Sequence, residues 1–487
     1  MKQILAALKF SSGYGALLLI LSILIFSAPF AVYIVLMLFI FAICILEGMK
    51  LILWLGFRNG ADVKTNLNKP MLSVHLAICN EPPSMVIATI KDILNQDYPN
   101  FEIIVIDNNT SDASLWQPVS EFCDLFENIR FFHLEKWPFY KSGALNFSRK
   151  VTNFNAEFIF VVDADYRLTA DALALAVSNV EGPDIALVQF PQAYELKEKR
   201  HVPIIEEFDH FFDYYCFKAD TCHGALATGT LSLVRISALD RVGGWPVNSI
   251  TEDAELGARL QVAGFDIKYV HRIIGKGIAP IHQEDFIKQR KRWIFGNMQT
   301  LGNYSMRPWH NFEKWLSGVS QLTAWANMLG FPIMILICCL FLSPWLQVET
   351  FISFTALVYV GYWIFAICKA LRLQLVHGRP SLLAFKTFLI HFSSLDIGAF
   401  HWYPILLGKD RPFIRTDKTG SNKSYKVNLL YPFLHLSLLF LAIGAGSMFV
   451  GLSALVFCTL HIVAMRFDFT CRAASDTEIS IDLKLCS

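Results

Sequence analysis

Hydrophobic and polar positions divide this chain of 487 residues into an apolar opening, a mixed middle and an apolar close. From Gly15 to Phe57 the sequence is almost continuously apolar, its only charges being Glu47 and Lys50. That is too long for one membrane span of about 20 residues and suits two. Helices are expected near 8–28 and 31–55, with Ser27-Ala28-Pro29 as the turn. A cleaved leader would have a shorter apolar core and no second apolar segment behind it. No comparable run occurs from about 60 to 312, and apolar segments resume near 318–342, 351–370, 428–445 and 447–466. A further stretch, 382–407, carries Lys386, His391, Asp396 and His401. Such groups are costly in lipid, so this stretch reads as an amphipathic interfacial helix.

Charge sets the orientation. Lys2 and Lys9 precede the opening hairpin, Lys50, Arg58, Lys64 and Lys69 follow it, and its turn has none. Positive flanks belong in the cytoplasm, which places the middle of the chain there too. The expected organisation is a transmembrane hairpin (1–59), a cytosolic domain (60–312), a second membrane domain (313–467) and a cytosolic tail (468–487). The second membrane domain contains the interfacial helix and a basic loop, 408–426. The expected location is the inner cell membrane. Composition agrees: 54% of residues are hydrophobic and 17% charged, against about a quarter charged in soluble domains. A net charge of +1 without a basic block argues against nucleic acid as a partner. Eleven cysteines form no CxxC pair and no zinc pattern, which reads as reduced, mostly buried thiols.

Within 60–312, short β-branched runs alternate with helix-like stretches. Leu72–Ile78, Phe101–Ile106, Phe158–Val162 and Leu226–Val234 read as strands, and Pro82-Pro83 opens a helix carrying Ile87, Ile90 and Leu94. This alternation implies a mostly parallel sheet covered by helices on both faces, with ligands beyond the carboxyl ends of the strands. Polar residues collect at those ends: Asn80-Glu81, Asp107-Asn108-Asn109 and Asp163-Ala164-Asp165. Two carboxylates at i and i+2 leaving a strand can face one side and suit Mg²⁺ or Mn²⁺, held partly by substrate phosphates. An isolated Asp-x-Asp is equally the pattern of a solvated turn; its place directly after Phe158–Val162 favours the site.

Three more segments carry candidate chemistry. Lys141-Ser142-Gly143-Ala144-Leu145-Asn146 puts a lysine at a helix start, where backbone N–H groups favour anions. Thr251-Glu252-Asp253 opens another helix, with Thr251 placed to cap it; a cap followed by first-turn acids would also account for it. Gln289-Arg290-Lys291-Arg292-Trp293 joins phosphate-binding guanidinium to a flat aromatic surface, and equally fits a basic–aromatic anchor at a membrane interface.

An Asn-Glu-Pro turn, an isolated Asp, an Asp-x-Asp, a Thr-Glu-Asp and a Gln-x-x-Arg-Trp occur in that order in a membrane-flanked domain. The set resembles family 2 glycosyltransferases of the processive synthase type, to which cellulose, curdlan and hyaluronan synthases belong. Val105–Thr110, Phe131–Leu134 and Gly143–Asn146 look most like bacterial β-1,3-glucan synthases. The resemblance implies an α/β GT-A-like (Rossmann-like) cytosolic domain inserted in an α-helical multi-pass membrane domain. It implies that Asn80, Glu81, Asp107, Lys141, Asp163, Thr228 and Gly229 bind the nucleotide sugar, and that Asp163 and Asp165 hold the metal. Asp253 becomes the general base, while Glu252, Gln289, Arg290, Arg292 and Trp293 face the diphosphate and the acceptor sugar. Phe413, Thr416 and Lys418 look like a gating loop that closes over the nucleotide, although a short basic loop has the same charge pattern. The sequence departs from the family at Cys79, where a Tyr that stacks on uracil usually stands.

The function so implied is an inverting transferase that polymerises a β-glycan, foremost a glucan from UDP-glucose, with translocation of the product and accessory secretion subunits left open. A GDP-mannose-dependent mannan synthase is the alternative donor reading. A non-processive enzyme moving one sugar to a lipid is the alternative acceptor reading; it would keep Asp163 and Asp165 without needing the Gln289–Trp293 segment. A channel or transporter with a vestigial domain is the rival from another class, and intact Asp163, Asp165 and Asp253 speak against it.

Overall fold

The computed structural model describes residues 2–56, 69–195, 202–279, 283–307, 309, 311–378, 381–408 and 429–473. The chain divides into two compact units, one of 52–325 with 402–421, the other of 1–51, 326–401 and 422–487.

The first unit is built on ten strands: β1 (Met71–Ile78), β2 (Phe101–Asn108), β3 (Ile129–Leu134), β4 (Ala156–Asp163), β5 (Arg167–Leu168), β6 (Ile185–Gln189), β7 (Ala193–Tyr194), β8 (Ser232–Arg235), β9 (Asp266–Tyr269) and β10 (Gly275–Gly277). Seven form a sheet in the order β3-β2-β1-β4-β8-β6-β9, and β5-β10-β7 form a small second sheet. The large sheet is parallel from β3 to β4, but β8 runs antiparallel to both neighbours, so it is mixed. Alternating side chains cover its two faces. Leu72, Val74, Leu76, Ile103 and Val105 pack against Val86, Ile90 and Ile93 of the helix Pro83–Leu94. Ile104 and Ile106 meet Ala144 of the helix Tyr140–Val151 on the other face. Register then aligns the polar strand ends: Ile78 lies opposite Asp107, and Ala77 opposite Asp163.

Of the expected strand Leu226–Val234, only Ser232–Val234 joins the sheet, within β8. Gly229 (φ +86°) and Leu231 (φ +50°) turn the backbone left-handed and break the extended run, leaving Leu226–Leu231 as a loop. The expected span 318–342 is likewise broken. The helix Phe312–Leu322 belongs to the first unit, and Gly330–Leu342 is a separate helix of the second. Ser317 and Gln321 explain why: both donate to the Gly224 carbonyl (3.0 and 2.9 Å), and Gln321 accepts from the Leu226 N–H (2.9 Å). The helix thereby clamps the loop that precedes β8.

The second unit is helical. Pro29–Leu53, Val348–Val376 and Met448–Arg466 are the three helices among the described residues long and apolar enough to cross a bilayer, which marks this as a membrane protein. Tyr14–Ser27, Gly330–Leu342 and Leu430–Gly444 are apolar but shorter; at 1.5 Å per residue, 13 residues reach about 20 Å. The interfacial stretch is not one helix. It is divided into Leu382–Phe392, Leu395–Phe400 and Tyr403–Leu406, and the first piece is bent 49° from the rest at Ser393-Ser394. The loop 409–428, with Phe413, Thr416 and Lys418, lies outside the described residues. The described cysteines are all free, and Cys123, Cys216, Cys338, Cys339 and Cys458 are buried.

Two apolar helices of this unit are joined by charge. Glu47 pairs with Arg372 at 2.6 Å and with Lys50 at 3.1 Å, each side chain 1% exposed. Charges away from water persist when paired. Glu47→Gln should destabilise the detergent-solubilised protein by about 3–5 kcal/mol in denaturant unfolding. Lys50→Met should cost clearly less, because Arg372 still faces Glu47; equal losses would assign the anchoring to Lys50 instead.

Candidate active site

A cavity of about 480 Å³ opens over the carboxyl ends of β1, β2 and β4. Its floor is polar. Lys141, in the first turn of Tyr140–Val151, donates to Asp163 Oδ1 at 2.5 Å and to the Gly229 carbonyl at 2.7 Å. Burial would weaken its charge, but Asp163, Glu252 and Asp253 outweigh that and hold the ammonium above the usual lysine range. The Asp163 N–H is taken by Thr230 Oγ1 at 2.9 Å, so strand β4 and the loop before β8 are tied on both sides.

Glu252 and Asp253 enter from the first turn of the helix Glu252–Val262. Gly229 makes room for them: a Cβ there would lie 2.8 Å from Asp253 Oδ2. Thr251 stands at the cap position but makes no capping bond, and among the described residues its buried hydroxyl has no hydrogen-bond partner. It is instead pressed against Gly296, where a Cβ would run into it, and so locks this turn to the helix Gln283–Tyr304. Burial, then the adjacent Asp253 charge, pushes Glu252 up to about 7, against the pull of Lys141. Burial also raises Asp253 above the usual carboxylate range, against its bond from the Ala254 N–H and the charges of Lys141 and Arg292. Glu255 is turned away to Arg259, 2.7 Å distant.

The Gln283–Tyr304 helix presents Gln289, Arg292 and Trp293 to the cavity, with Arg292 among the charges of Glu252, Asp253 and Asp163. Arg290 does not line it. Its guanidinium is 2% exposed, ion-paired with Glu207, and stacked at 4.4–5.1 Å on the rings of Phe208, Phe286, Trp293 and Trp325. Asp107 is not on the wall either. It accepts from Thr110 Oγ1 (2.5 Å), pairs with His133 Nδ1 (2.6 Å) and is 1% exposed. Thr110 in turn accepts from the Asn80 N–H (2.8 Å), so this carboxylate fastens the ends of β1, β2 and β3. Asn80, Glu81, Asp165, Thr228 and Gly229 all line the cavity.

The sequence reading did not single out most of the aromatic wall: Tyr194, Phe208, Phe211, Phe212 and Trp325. Phe211 stacks on Trp325 at 4.6 Å, and Trp325 meets Trp293 at 4.9 Å. Phe211 and Phe212 stand on a π-helical run, Phe211–Cys216, a rare turn frequently found at functional sites. The dense aromatics of 208–215 were the available signal.

Glu81, Asp163, Asp165, Glu252 and Asp253 give five carboxyl groups beside Lys141 and Arg292, an oxygen-rich lining that suits a divalent cation. Among the described residues no group of three His, Cys, Asp or Glu forms a metal cage. Asp163 and Asp165, hard oxygen donors with 5% exposure at Asp165, fit partial ligation of Mg²⁺ or Mn²⁺ completed by phosphate and water.

Residues 158–367, from β4 past Asp163, Asp165, Asp253 and Trp293, match the family described as Glycosyl transferase family group 2. The chain is 29% identical over 177 residues to a UDP-forming cellulose synthase of Dictyostelium discoideum, in its catalytic chain, covering 35% of this chain and 16% of that protein. It is 24% identical over 319 residues to the probable glucomannan 4-beta-mannosyltransferase 1 of Arabidopsis thaliana (62% and 57%). It is 26% identical over 247 residues to the beta-monoglucosyldiacylglycerol synthase of Trichormus variabilis (48% and 50%). The chain thus spans between about a sixth and somewhat over half of these relatives' lengths. The mixed sheet and the family match agree with the GT-A-like class expected from sequence.

The buried Arg290–Glu207 pair yields a test. Arg290→Met removes the charge facing Glu207 and should cost about 3–5 kcal/mol in unfolding. Combining it with Glu207→Leu should recover most of that loss in a double-mutant cycle; additive losses would mean that the pair is not the coupling.

Proposed function

We propose that this chain, which carries a family 2 glycosyltransferase domain at residues 158–367, is a membrane-embedded inverting hexosyltransferase that polymerises a β-glycan from a nucleotide sugar, foremost UDP-glucose. The observation that carries the reading is one cavity with a phosphate-seeking pair, Lys141 and Arg292, at its floor, buried carboxylates beside them, and a wall of stacked aromatics. In this reading the catalytic unit faces the cytoplasm at the inner cell membrane, on the strength of the basic flanks of the first hairpin.

Lys141 and Arg292 neutralise the diphosphate as the sugar–phosphate bond breaks. Mg²⁺ or Mn²⁺, held by Asp163, Asp165 and the donor's phosphates, would supply further charge stabilisation there. Asp253 takes the proton of the acceptor hydroxyl, and its raised pKa makes it the stronger base. Attack from the face opposite the leaving diphosphate turns an α-linked donor into a β-linked product. Trp293, Trp325 and Phe211 offer flat apolar faces that hold sugar rings between additions.

The relative named for glucomannan keeps GDP-mannose open as donor, and the one named for a glucosyl lipid supports a second reading, single transfer to a lipid acceptor. The apolar side chains Leu226 and Leu322 in the cavity wall favour it. Labelled UDP-glucose and GDP-mannose supplied to membranes, followed by linkage-specific digestion, separate these readings: a chloroform-soluble product with no polymer overturns the polymerase.

Asp253→Asn should reduce product formation at least about 10²-fold while donor affinity in titration stays within a few-fold. Near-parental synthesis removes Asp253 from the mechanism. Turnover at saturating donor should fall on acidification at a pH above the ordinary carboxylate range, because burial raises Asp253 and a base that keeps its proton to higher pH cannot act below it. Trp293→Ala should shorten the polymer more than it slows UDP release; polymer of parental length would make Trp293 a packing residue only.

A further inference from the structure

The cavity follows the strand order. The phosphate-seeking groups sit at the end of β4, in its middle, and Gly229, Asp253 and Trp293 stand on the β8 side. A donor whose diphosphate lies over β4 and whose sugar faces Asp253 must extend its nucleoside the other way, over β1 and β2. The wall there includes Ile78, Cys79, Asn80, Glu81, Asn108, Asn109 and Tyr140. Of these only Tyr140 carries a flat aromatic face; it lines the cavity and is 52% exposed.

The backbone holds that ring in place at a cost. Phe139 (φ +67°) and Tyr140 (φ +49°) are successive bulky residues in the left-handed region, a strained conformation for both. Surrounding bonds enforce it. The Tyr140 carbonyl accepts from Asn108 Nδ2 at 2.6 Å, and the Phe139 carbonyl from the Gly143 N–H at 3.0 Å. Asn109 grips the Trp137 backbone twice, at 2.6 and 2.8 Å, and Trp137 Nε1 donates to the Gly143 carbonyl at 3.0 Å. Gly143 is required by this packing, since a Cβ would overlap the Pro138 carbonyl.

We infer that Tyr140 is the platform on which the donor's nucleobase stacks. The ligand class is a nucleoside diphosphate, and the inference rests on the nucleotide-sugar reading above. Aromatic stacking on a base tolerates either uracil or guanine, because every base has a π-face.

The test uses the full detergent-solubilised chain with Mn²⁺, titrated with UDP, GDP and pyrophosphate. Tyr140→Ala weakens UDP binding about tenfold or more and leaves pyrophosphate within twofold, since Lys141 and Arg292 are untouched. Tyr140→Phe keeps UDP affinity within about threefold, because the ring face is retained. Tyr140→Gly shifts the unfolding midpoint upward yet loses UDP affinity as the Ala variant does, a combination that a merely structural tyrosine does not give. A parent that prefers UDP or GDP to pyrophosphate, with an Ala variant that keeps the same preference, overturns the platform alone. A parent that holds nucleotides no better than pyrophosphate overturns both the platform and the donor reading.

Discussion

The Lys141 ammonium is the contact on which the site depends. It reaches Asp163 at the end of β4 and the Gly229 carbonyl in the loop before β8, and both distances are those of strong, charge-assisted bonds. Neither partner would be in place without a second constraint. The Asp163 N–H is fixed by Thr230, and Gly229 is left-handed and lacks the Cβ that would strike Asp253. One cation therefore fixes the spacing between the strand carrying the Asp-x-Asp and the loop packed against the helix carrying Glu252 and Asp253. Its own charge is sustained by the carboxylates it organises, so the arrangement is mutual.

That mutual dependence also sets the protonation of the floor. Glu252 and Asp253 are adjacent in sequence and enter together from one helix turn, where the N-terminal dipole favours negative charge. Desolvation acts the other way and wins at both, and at Glu252 the Asp253 charge adds to it, which is why both are raised. A carboxylate close to neutral pH is suited to taking a proton and passing it on. Asp107 is raised by burial as well, but its oxygens are committed to Thr110 and His133. Similar burial thus accompanies two arrangements: both Asp107 oxygens are bonded to the side chains of Thr110 and His133, whereas Asp253 lines the cavity with Oδ1 bonded to the Ala254 N–H.

The sequence made the sheet legible because its strands are short β-branched runs ending in polar residues, and parallel register brings those ends to one level. Asp163, Asp165, Asp253, Arg292 and Trp293 line the same cavity because each lies at an element end or on one helix face, positions that periodicity exposes. Arg290 and Arg292, two residues apart, part company for the same reason, since i and i+2 do not share a helix face. The strand expected at 226–234 failed on two left-handed residues, one of them a leucine, which no propensity foretells. The membrane span expected at 318–342 failed because Ser317 and Gln321 have partners far away in sequence. The strain at Phe139 and Tyr140 was equally hidden, because it is imposed by Asn108 and Asn109 some thirty positions earlier.

The charged floor of the cavity needs only a diphosphate and a nucleophile, so it does not by itself separate relatives named for cellulose, for glucomannan and for a glucosyl lipid. Beyond that floor, much of the cavity wall is aromatic. Trp293 and Trp325 rest on Arg290, whose guanidinium fills the space behind them while Glu207 balances its charge. A cation behind an indole stiffens the wall in a way that an aliphatic residue of equal volume would not, because its attraction to the ring face is directional. Phe211 and Phe212 reach the same cavity from the π-helical turn, where a wider i→i+5 turn changes which side chains share a face. A regular helix through 208–216 would point a different pair of residues inward. The shape of this turn and the buried Arg290–Glu207 pair behind the tryptophans therefore set the form of the aromatic wall, apart from the charged floor.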